Sequence, residues 1–417
     1  MAIGKFKKNG FEIINNQNEA DIIVINTCGF IKTAKEEAIN TIFEMAELKQ
    51  TGKCKYLIVM GCLAQRYKID LEKSMPEVDL FISIDEYELF WDKVCKLIQN
   101  KENQKDNSLD YFDRTVSTGN KTAYLKIAEG CSNKCTYCAI PYIRGPYISR
   151  KMEDVLKEAE NLASQGYEEI IVIAQDTTKY GIDLYGEEKL AELLDKLCKI
   201  DKIKWIRFLY AYPESITDEL IEVVKNNEKI CKYFDIPLQH ISNNVLKKMN
   251  RHSTSENIRK LILKIRKQIP EVIIRTTFMV GFPGETEEDF FELYEFVNEA
   301  KFEKLGVFKY SKEDNTPAER LPNQIHPKTK QSRFEKIMKL EKSISKIKLE
   351  EKIGKIYDVL IDGQTPDGRF YIGRSYMDIP DEDGVIYIKN IGNKLENKFI
   401  KCKITDVIDY DFIGEQI

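Results

Sequence analysis

Residues 130–138 read Gly130-Cys131-Ser132-Asn133-Lys134-Cys135-Thr136-Tyr137-Cys138 and carry three cysteines within eight residues. The apolar run that precedes them, Thr122–Ala128, is typical of a β-strand, so the thiols are expected on the loop at that strand's carboxyl end. Closely spaced thiolates bind iron–sulfur clusters, and three ligands leave one iron of a four-iron cubane open. Zinc would need a fourth ligand at matching spacing, and neither a histidine nor another cysteine lies nearby. The stretch predicts a cluster, the alternative being three unrelated buried thiols.

The composition narrows the class of protein. The chain has 417 residues and a net charge of −4, which is long enough for two or three domains and gives no general reason to expect nucleic-acid binding. It has no signal peptide, and no apolar run approaches the roughly 18 residues of a membrane span. Ten cysteines without an export signal favour metal binding in a reducing compartment, so a cytoplasmic protein is expected.

The first hundred residues predict a parallel α/β domain. A strand over Asp21–Asn26, a helix over Lys32–Leu48 and a strand over Tyr56–Met60 alternate as parallel sheets require. Cys28 and Cys62 follow the two strands and should meet at the carboxyl edge of the sheet, where sites form. Two thiols at one edge favour a shared metal site over two separate core residues. Because Met1–Asn9 reads as a helix with a glycine stop and no strand before it, we expect an opening strand to be missing.

From residue 122 to residue 310, strand-length apolar runs alternate with charged amphipathic stretches. Six βα units of this kind predict an open or partial barrel with its site at the carboxyl ends of the strands. The predicted strands are Thr122–Ala128, Glu169–Gln175, Lys204–Tyr210, Lys232–Ile236, Val272–Val280 and Lys304–Tyr310.

Polar residues stand where two of these strands stop. Gln175 and Asp176 end one strand and are candidates to face a ligand, although residues in such positions also cap loops. Gly281, Gly284 and Glu285 form a turn before an acidic helix start, which suits a ligand-facing loop but also an ordinary turn.

Arg207 lies within an apolar strand, where an unpaired charge would be costly to bury. It is therefore predicted to face the barrel lumen and bind a carboxylate, with outward exposure as the equal alternative.

The last part of the chain has a different pattern of apolar and polar residues. From Glu351 onward, four short alternating runs separated by turns predict the strands of a small β-barrel, namely Tyr357–Asp362, Arg369–Ser375, Gly384–Lys389 and Lys401–Ile408. This part holds thirteen acidic and nine basic residues, whereas a barrel that grips an RNA backbone should be basic.

With these blocks in place, the chain resembles the methylthiotransferases, a family of radical S-adenosylmethionine (SAM) enzymes. C-x3-C-x2-C with Tyr137 beside the last cysteine is similar to the radical SAM signature. The resemblance implies an α/β fold with an N-terminal cluster domain over residues 1–88, a linker over 89–119, a radical SAM partial (β/α)6 barrel over 120–350 and an antiparallel TRAM β-barrel over 351–417. The longest local matches are Tyr124-Leu-Lys-Ile-Ala-Glu-Gly-Cys131, Ala174-Gln-Asp-Thr-Thr-Lys-Tyr-Gly-Ile-Asp183, Tyr233-Phe-Asp-Ile-Pro-Leu-Gln-His240, Arg275-Thr-Thr-Phe-Met-Val-Gly-Phe-Pro-Gly-Glu-Thr286 and Tyr371-Ile-Gly-Arg-Ser-Tyr376.

Those matches are similar to the branch that methylthiolates an aspartate of protein twelve of the small ribosomal subunit. The resemblance implies that Cys131, Cys135 and Cys138 hold a [4Fe–4S] cluster whose open iron chelates SAM. Cleavage of SAM after injection of an electron then yields a deoxyadenosyl radical that takes a hydrogen from the aspartate β-carbon. A second cluster would supply sulfur, a second SAM the methyl group, and separate donors the electron and the replacement sulfur.

The same resemblance assigns cofactor contacts. Tyr137 is expected near the adenine of SAM, and the turn of Gly281, Gly284 and Glu285 beside the adenine or methionine. Gln175 and Asp176 are candidates to face the ribose of SAM or the substrate, and Arg207 to bind a carboxylate, because of their positions in the strands and not because of the resemblance.

The second cluster is where the sequence departs from the family. The family has three cysteines in its N-terminal domain, of which Cys28 and Cys62 match, while the first should lie upstream of the helix that ends at Asn9. Either the chain is shortened or it holds a damaged auxiliary site.

Two other functions remain open. A transfer-RNA adenosine methylthiotransferase would call for a basic TRAM barrel and different strand-end motifs. A cluster-holding protein on the ribosome would not turn over SAM. The acidic barrel favours a strongly basic ribosomal protein as the partner, with no direct nucleic-acid binding as the main role and no membrane.

Overall fold

The computed structural model describes residues 1–99, 109, 111–112, 114–117, 119, 121–392 and 394–417. Within it the chain forms two compact units, which are described separately. The first unit comprises Met1–Ser117, Gly130–Pro146 and Ser311–Glu319, and the second comprises Thr118–Glu129, Tyr147–Tyr310 and Arg320–Ile417.

The first unit is built on a parallel sheet in the order β1-β2-β3. Its elements are α1 Ala2–Lys8, β1 Ile22–Thr27, α2 Lys32–Thr51, β2 Tyr56–Gly61, α3 Cys62–Ser74, β3 Leu80–Ile82, α4 Phe90–Leu97 and α5 Ile140–Arg144. The predicted strand–helix–strand order is confirmed, because β1 pairs with β2 in parallel from Ile22 opposite Tyr56 to Thr27 opposite Gly61.

The predicted linker over residues 89–119 begins too early. Residues 90–97 form α4, and Phe90 and Trp91 are fully buried in a core cluster that also contains Phe6 of α1. The helix is short, and the capping box of Ser83 and Glu86 lies several residues before it, at a 3-10 turn over Ile84–Leu89 that leads into α4. Residues 100–108, 110, 113 and 118 of the predicted linker lie outside the described residues.

The second unit contains the predicted partial barrel. Its strands are β4 Thr122–Lys126, β5 Ala128–Glu129, β6 Ile148–Ser149, β7 Glu169–Ile173, β8 Trp205–Phe208, β9 Tyr233–Gln239, β10 Ile273–Val280 and β11 Lys304–Lys309. The helices are α6 Met152–Ser164, α7 Ile182–Tyr185, α8 Leu190–Cys198, α9 Asp218–Asn226, α10 Asn243–Lys248, α11 Ser255–Gln268, α12 Glu287–Ala300 and α13 Pro327–Glu350.

The six long strands of the barrel run parallel. They form the sheets β4-β7-β8 and β9-β10-β11, and a parallel bridge between Ile206 and Ile230 continues the order between them. This order confirms the partial (β/α)6 barrel.

The rest of the second unit is a closed five-stranded barrel in the order β12-β13-β14-β16-β15. Its strands are β12 Ile356–Gln364, β13 Phe370–Arg374, β14 Ile386–Lys389, β15 Phe399–Ile408 and β16 Asp411–Gln416. The fifth strand was not predicted, and the barrel is not wholly antiparallel, since β14 and β16 pair in parallel.

Residues Ser375–Asp383 of this small barrel, the floor loop, cover the amino ends of the large barrel's strands. Asp378 pairs with Lys304 at the start of β11 at 2.9 Å, and Asp383 accepts a hydrogen bond from the Tyr233 hydroxyl at the start of β9 at 2.7 Å. The two barrels also share one apolar core, which joins Tyr233 and Trp205 to Leu360. The carboxyl ends of the strands therefore remain for a site.

Among the residues that the structure describes, no helix has both the length and the apolar character needed to cross a membrane.

Candidate iron–sulfur centre

The loop of the three cysteines is closed at its base by backbone pairing. β5 and β6 pair as antiparallel strands on either side of it, and the Cys131 amide donates to the carbonyl of Gly145 at 3.1 Å. Gly130 has φ +73°, and a Cβ there would lie 2.0 Å from the carbonyl oxygen of Pro146. Only glycine fits this position, so the base of the loop is held in one conformation.

The donor set suits an iron–sulfur cluster. Burial, assisted by the neighbouring thiols of Cys135 and Cys131, raises the pKa of the Cys138 thiol to about 12. Such a group becomes a thiolate when a cation compensates the charge, which iron does. Among the described residues, no three histidine, cysteine or acidic side chains are arranged to hold a metal ion, so this fit rests on the chemistry of the donors.

Tyr137 lies between the second and third cysteines and is partly exposed. Its place beside an adenine remains a prediction.

Cys28 and Cys62 are brought together by the register of the N-terminal sheet. They directly follow Thr27 and Gly61, which are paired across β1 and β2, and the Thr27 hydroxyl donates to the carbonyl of Met60 at 2.7 Å. A Cβ at Gly29 would lie 2.8 Å from the carbonyl carbon of Cys62, so the loop after Cys28 touches the start of α3. Cys28 is exposed and Cys62 is buried. Both cysteines follow paired ends of β1 and β2 at one sheet edge, whereas a metal site shared by their thiols remains a prediction.

An arginine contacts the buried thiol of this pair. Arg144, the last residue of α5, donates from Nη2 to Sγ of Cys62 at 3.2 Å. Ala139 and Ile143 of the same segment pack against Cys62 in a small apolar cluster. Arg144 is not among the residues predicted from the sequence, where its only signal is an arginine six residues after Cys138 in Ile140-Pro-Tyr-Ile-Arg144.

Glu313, also missed, anchors the segment Ser311–Glu319 to the helices of the first unit. Its carboxylate accepts from the amide of Lys32 at 3.0 Å and pairs with Lys35 at 3.1 Å and Arg66 at 3.5 Å. The segment also reaches the cysteine loop, since the Ala318 amide donates to the carbonyl of Thr136 at 2.9 Å. We call Ser311–Glu319 the strap, because it fastens the loop to the N-terminal domain.

In the second unit, Gln175 and Asp176 follow β7 at the carboxyl end of the barrel. Oε1 of Gln175 is buried and has no hydrogen-bond partner. Oδ1 of Asp176 accepts from the amide and the hydroxyl of Thr178 at 3.1 and 2.5 Å. Asp176 thus caps its own loop, whereas Gln175 keeps a free acceptor for a ligand.

Hydrogen bonds to the side chain of Glu285 hold the turn from Gly281 to Glu285 in its conformation. Glu285 accepts from the amides of Gly281 and Phe282 at 2.6 and 3.0 Å and from Arg333 at 2.8 Å. Burial raises the pKa of Glu285 to about 7, against the opposing effect of Arg333 and the two amides. Gly281 and Gly284 both have positive φ. These contacts give Glu285 a structural role, and contact of the turn with SAM stays a prediction.

Arg207 is fully buried and does bind a carboxylate, which excludes outward exposure. Its Nε donates to Glu169 at 2.6 Å, and its other nitrogens donate to the carbonyls of Tyr376 and Ser375 at 2.6 and 2.8 Å. All three partners lie at the amino ends of the strands or on the floor loop, so these contacts make Arg207 a link between the two barrels. They leave its predicted cofactor contact without support.

Comparisons with known proteins agree with this architecture. Residues 125–297 match the radical SAM superfamily, residues 1–83 the uncharacterized protein family UPF0004, and residues 353–417 the TRAM domain. Among solved structures, the radical SAM methyltransferase TsrM from Kitasatospora setae has a TM-score of 0.55 at 12% identity and covers 72% of this chain and 66% of its own, a likeness of fold alone.

Similarity to named relatives extends over nearly the whole chain. The ribosomal protein uS12 methylthiotransferase RimO of Alkaliphilus oremlandii is 63% identical over 414 residues, which are 99% of this chain and 94% of the relative. Proteins of the same name from Acetivibrio thermocellus and Clostridioides difficile are each 49% identical over 100% of this chain and 94% of their own length. With the three-cysteine loop, the partial barrel and the five-stranded C-terminal barrel all in place, the chain belongs to the RimO family of radical SAM methylthiotransferases.

Proposed function

We propose that this enzyme transfers a methylthio group to the β-carbon of an aspartate side chain of ribosomal protein uS12. The observation that carries the proposal is the grouping of Cys28, Cys62 and the three-cysteine loop within one compact unit. A radical-generating site and a sulfur-supplying site both need thiolate ligands, and this unit provides thiols for each.

The residues of the chain divide the work. Cys131, Cys135 and Cys138 would hold the first cluster, and Cys28 and Cys62 would contribute to a second. When bound, the first cluster and SAM supply a carbon radical able to take hydrogen from an unactivated C–H bond, which no side-chain base could deprotonate at neutral pH. Gln175 would accept a hydrogen bond from SAM.

The partners follow from this chemistry. A reducing electron donor and a sulfur donor are required, and we propose a cytoplasmic location because ribosomal proteins and exposed iron ligands both belong to a reducing compartment. Direct nucleic-acid binding is not proposed, because the C-terminal barrel carries thirteen acidic residues against nine basic ones.

The proposal is tested by separating the two half-reactions after anaerobic reconstitution. Cys135→Ala should abolish the reductive cleavage of SAM to 5′-deoxyadenosine, because it removes a ligand of the radical-generating cluster. Cys28→Ala should spare that cleavage and stop methylthiolation of a uS12 peptide, followed by mass spectrometry. Cys402→Ala, at a buried thiol of the small barrel, is the matched control and should retain both.

Equal loss of SAM cleavage in Cys135→Ala and Cys28→Ala would contradict this division. Methylthiolation of transfer RNA instead of the peptide would favour the second branch of the family. Failure of the unmodified chain to cleave SAM would leave only a cluster-holding protein.

Iron analysis tests the second cluster separately. About eight irons in the reconstituted chain would mean that two cubanes form. About four irons would mean that only the first cluster forms, and this chain should then cleave SAM without transferring sulfur.

A further inference from the structure

Arg144 is not among the ligands described above, yet it contacts one of them, Cys62. The contact joins two sequence positions 82 residues apart, at a distance of 3.2 Å from Nη2 to Sγ. Cys62 is 3% exposed, so this sulfur is largely removed from water. A charged donor on a buried sulfur acts with little screening.

The fold holds Arg144 in place from both ends of α5. The helix begins directly after Ala139, which follows Cys138, and it ends at Gly145, whose carbonyl accepts from the amide of Cys131. Ala139 and Ile143 pack on Cys62. The loop that carries the other three thiols therefore places the guanidinium of Arg144 against Cys62 of the N-terminal cysteine pair.

The two thiols of the pair differ in their surroundings. Cys28 is exposed and can receive hydrogen bonds from water, whereas Cys62 is buried and receives one from Arg144. Hydrogen bonds to sulfur and nearby positive charge raise the reduction potential of an iron–sulfur cluster, and outer-shell donors also fix the orientation of a ligand.

We propose that Arg144 is a positioning residue for the second cluster, which orients Cys62 and raises the reduction potential of a cluster bound there. The inference rests on the proposed function, in which Cys28 and Cys62 are ligands of that cluster. Arg144 compensates the negative charge of the sulfur, so its removal weakens both the retention of iron and the readiness of the cluster to accept an electron.

The test uses the full chain with Cys131, Cys135 and Cys138 all changed to alanine, so that any cluster is the second one. In this background Arg144→Met removes the charge and the donor at similar length, and Arg144→Lys retains the charge. Arg369→Met is the matched control, because Arg369 pairs with Asp367 on the exposed surface of the small barrel. The readouts are a reduction potential from an EPR-monitored titration and the rate of iron loss to a chelator.

We expect Arg144→Met to lower the potential and to speed iron loss on the order of tenfold, the usual effect of removing an outer-shell partner. Arg144→Lys should recover part of both, and Arg369→Met should match the parent. Two outcomes would overturn the inference while leaving the second cluster intact. One is an unchanged reduction potential in Arg144→Met. The other is faster iron loss in Arg144→Met and Arg144→Lys alike with no change in the reduction potential. Absence of iron in the parent overturns the second cluster itself, and the inference with it.

Discussion

Gln175 is a residue that the fold leaves unsatisfied. A buried amide oxygen without a partner costs about 1–3 kcal/mol, and such groups are retained where a ligand completes them. Its neighbour Asp176, by contrast, satisfies its own loop through Thr178. Gln175 and Asp176 are adjacent in sequence, yet Asp176 stabilises its own loop while Gln175 keeps an acceptor for a ligand. Only their hydrogen bonds in the structure distinguish the two.

Gln175→Leu should weaken SAM binding about tenfold, the equivalent of one lost hydrogen bond, without lowering the melting temperature. Equilibrium binding of SAM to the reconstituted protein measures the first effect and thermal unfolding the second. Gln268→Leu is the matched control, because Oε1 of Gln268 is also buried without a partner but lies at the end of α11. A fall in melting temperature with unchanged SAM binding would assign Gln175 to the fold.

Glu169 is the residue on which the link between the two barrels depends. Burial alone would raise its pKa, but Arg374 and Arg207 hold the pKa at about 2, below the ordinary 4.5. A lowered pKa means that the stabilisation is complete above about pH 4.5 and is lost as the pH falls towards 2. The shift corresponds to about 3 kcal/mol.

Glu169→Gln should therefore lower the free energy of unfolding at neutral pH by about 3–5 kcal/mol, because it leaves the buried Arg207 without a carboxylate and Arg374 with Asp362 alone. The difference from the unchanged chain should shrink below pH 4.5, because the unfolded chain gains a proton at Glu169 that the folded chain resists until about pH 2. Urea titrations at a series of pH values measure this. Asp358→Asn, at an exposed pair with Lys401, should cost less than about 1 kcal/mol at every pH. A pH-independent difference for Glu169→Gln would contradict the assignment.

At the scale of elements, the strap contacts both α2 and the cysteine loop although it is short. Glu313 is 3% exposed and meets two cations and the first amide of α2, while Ala318 holds the cysteine loop. A short segment that follows β11 thus fixes an element nearly 180 residues away in the chain. No local pattern of residues indicates such a contact.

Glu313→Gln should loosen the strap and with it the loop. We expect faster hydrogen exchange in peptides covering residues 311–319 and 130–146, with little change in the small barrel. Glu256→Gln, at an exposed i,i+4 pair with Lys260, is the control and should leave exchange in both peptides unchanged. Unaltered exchange in the loop peptide of Glu313→Gln would show that the strap does not hold it.

The elements that the sequence predicts are those with strong local signals. The six barrel strands are apolar runs of strand length, and the structure places each within a few residues of its predicted position. β16 was missed because Gly414, where a Cβ would lie 2.4 Å from Sγ of Cys402, weakens the strand pattern of Asp411–Gln416. A glycine is needed at this position because the partner strand β15 approaches it closely, and the sequence of Asp411–Gln416 does not indicate that approach.

For the candidate site, sequence reasoning finds the cysteines but not their surroundings. Spacing places Cys131, Cys135 and Cys138 on one loop, and sheet topology brings Cys28 beside Cys62. Arg144 could not be predicted, because its contact depends on how α5 packs on α3. The partner of Arg207 was predicted as a carboxylate, yet its identity as Glu169 required knowledge of which strands are neighbours.

At the scale of the whole molecule, charge should govern the encounter with the substrate. The acidic small barrel should attract a basic protein, and such steering weakens as salt shortens the range of the field. Raising the ionic strength from about 0.05 to about 0.5 M should lower kcat/KM for uS12 several-fold while the cleavage of SAM alone changes little. An equal effect of salt on both reactions would exclude steering by the barrel.

The floor loop affects how ligands reach and leave the interior of the large barrel. Asp378 and Asp383 pair with residues at the amino ends of the strands, so the floor loop obstructs that end of the large barrel. We expect ligands to enter from the carboxyl ends of the strands, where Gln175 lies. A nucleoside product would then leave on the same side on which the next SAM and the aspartate side chain arrive, and a substrate protein bound there should slow its release.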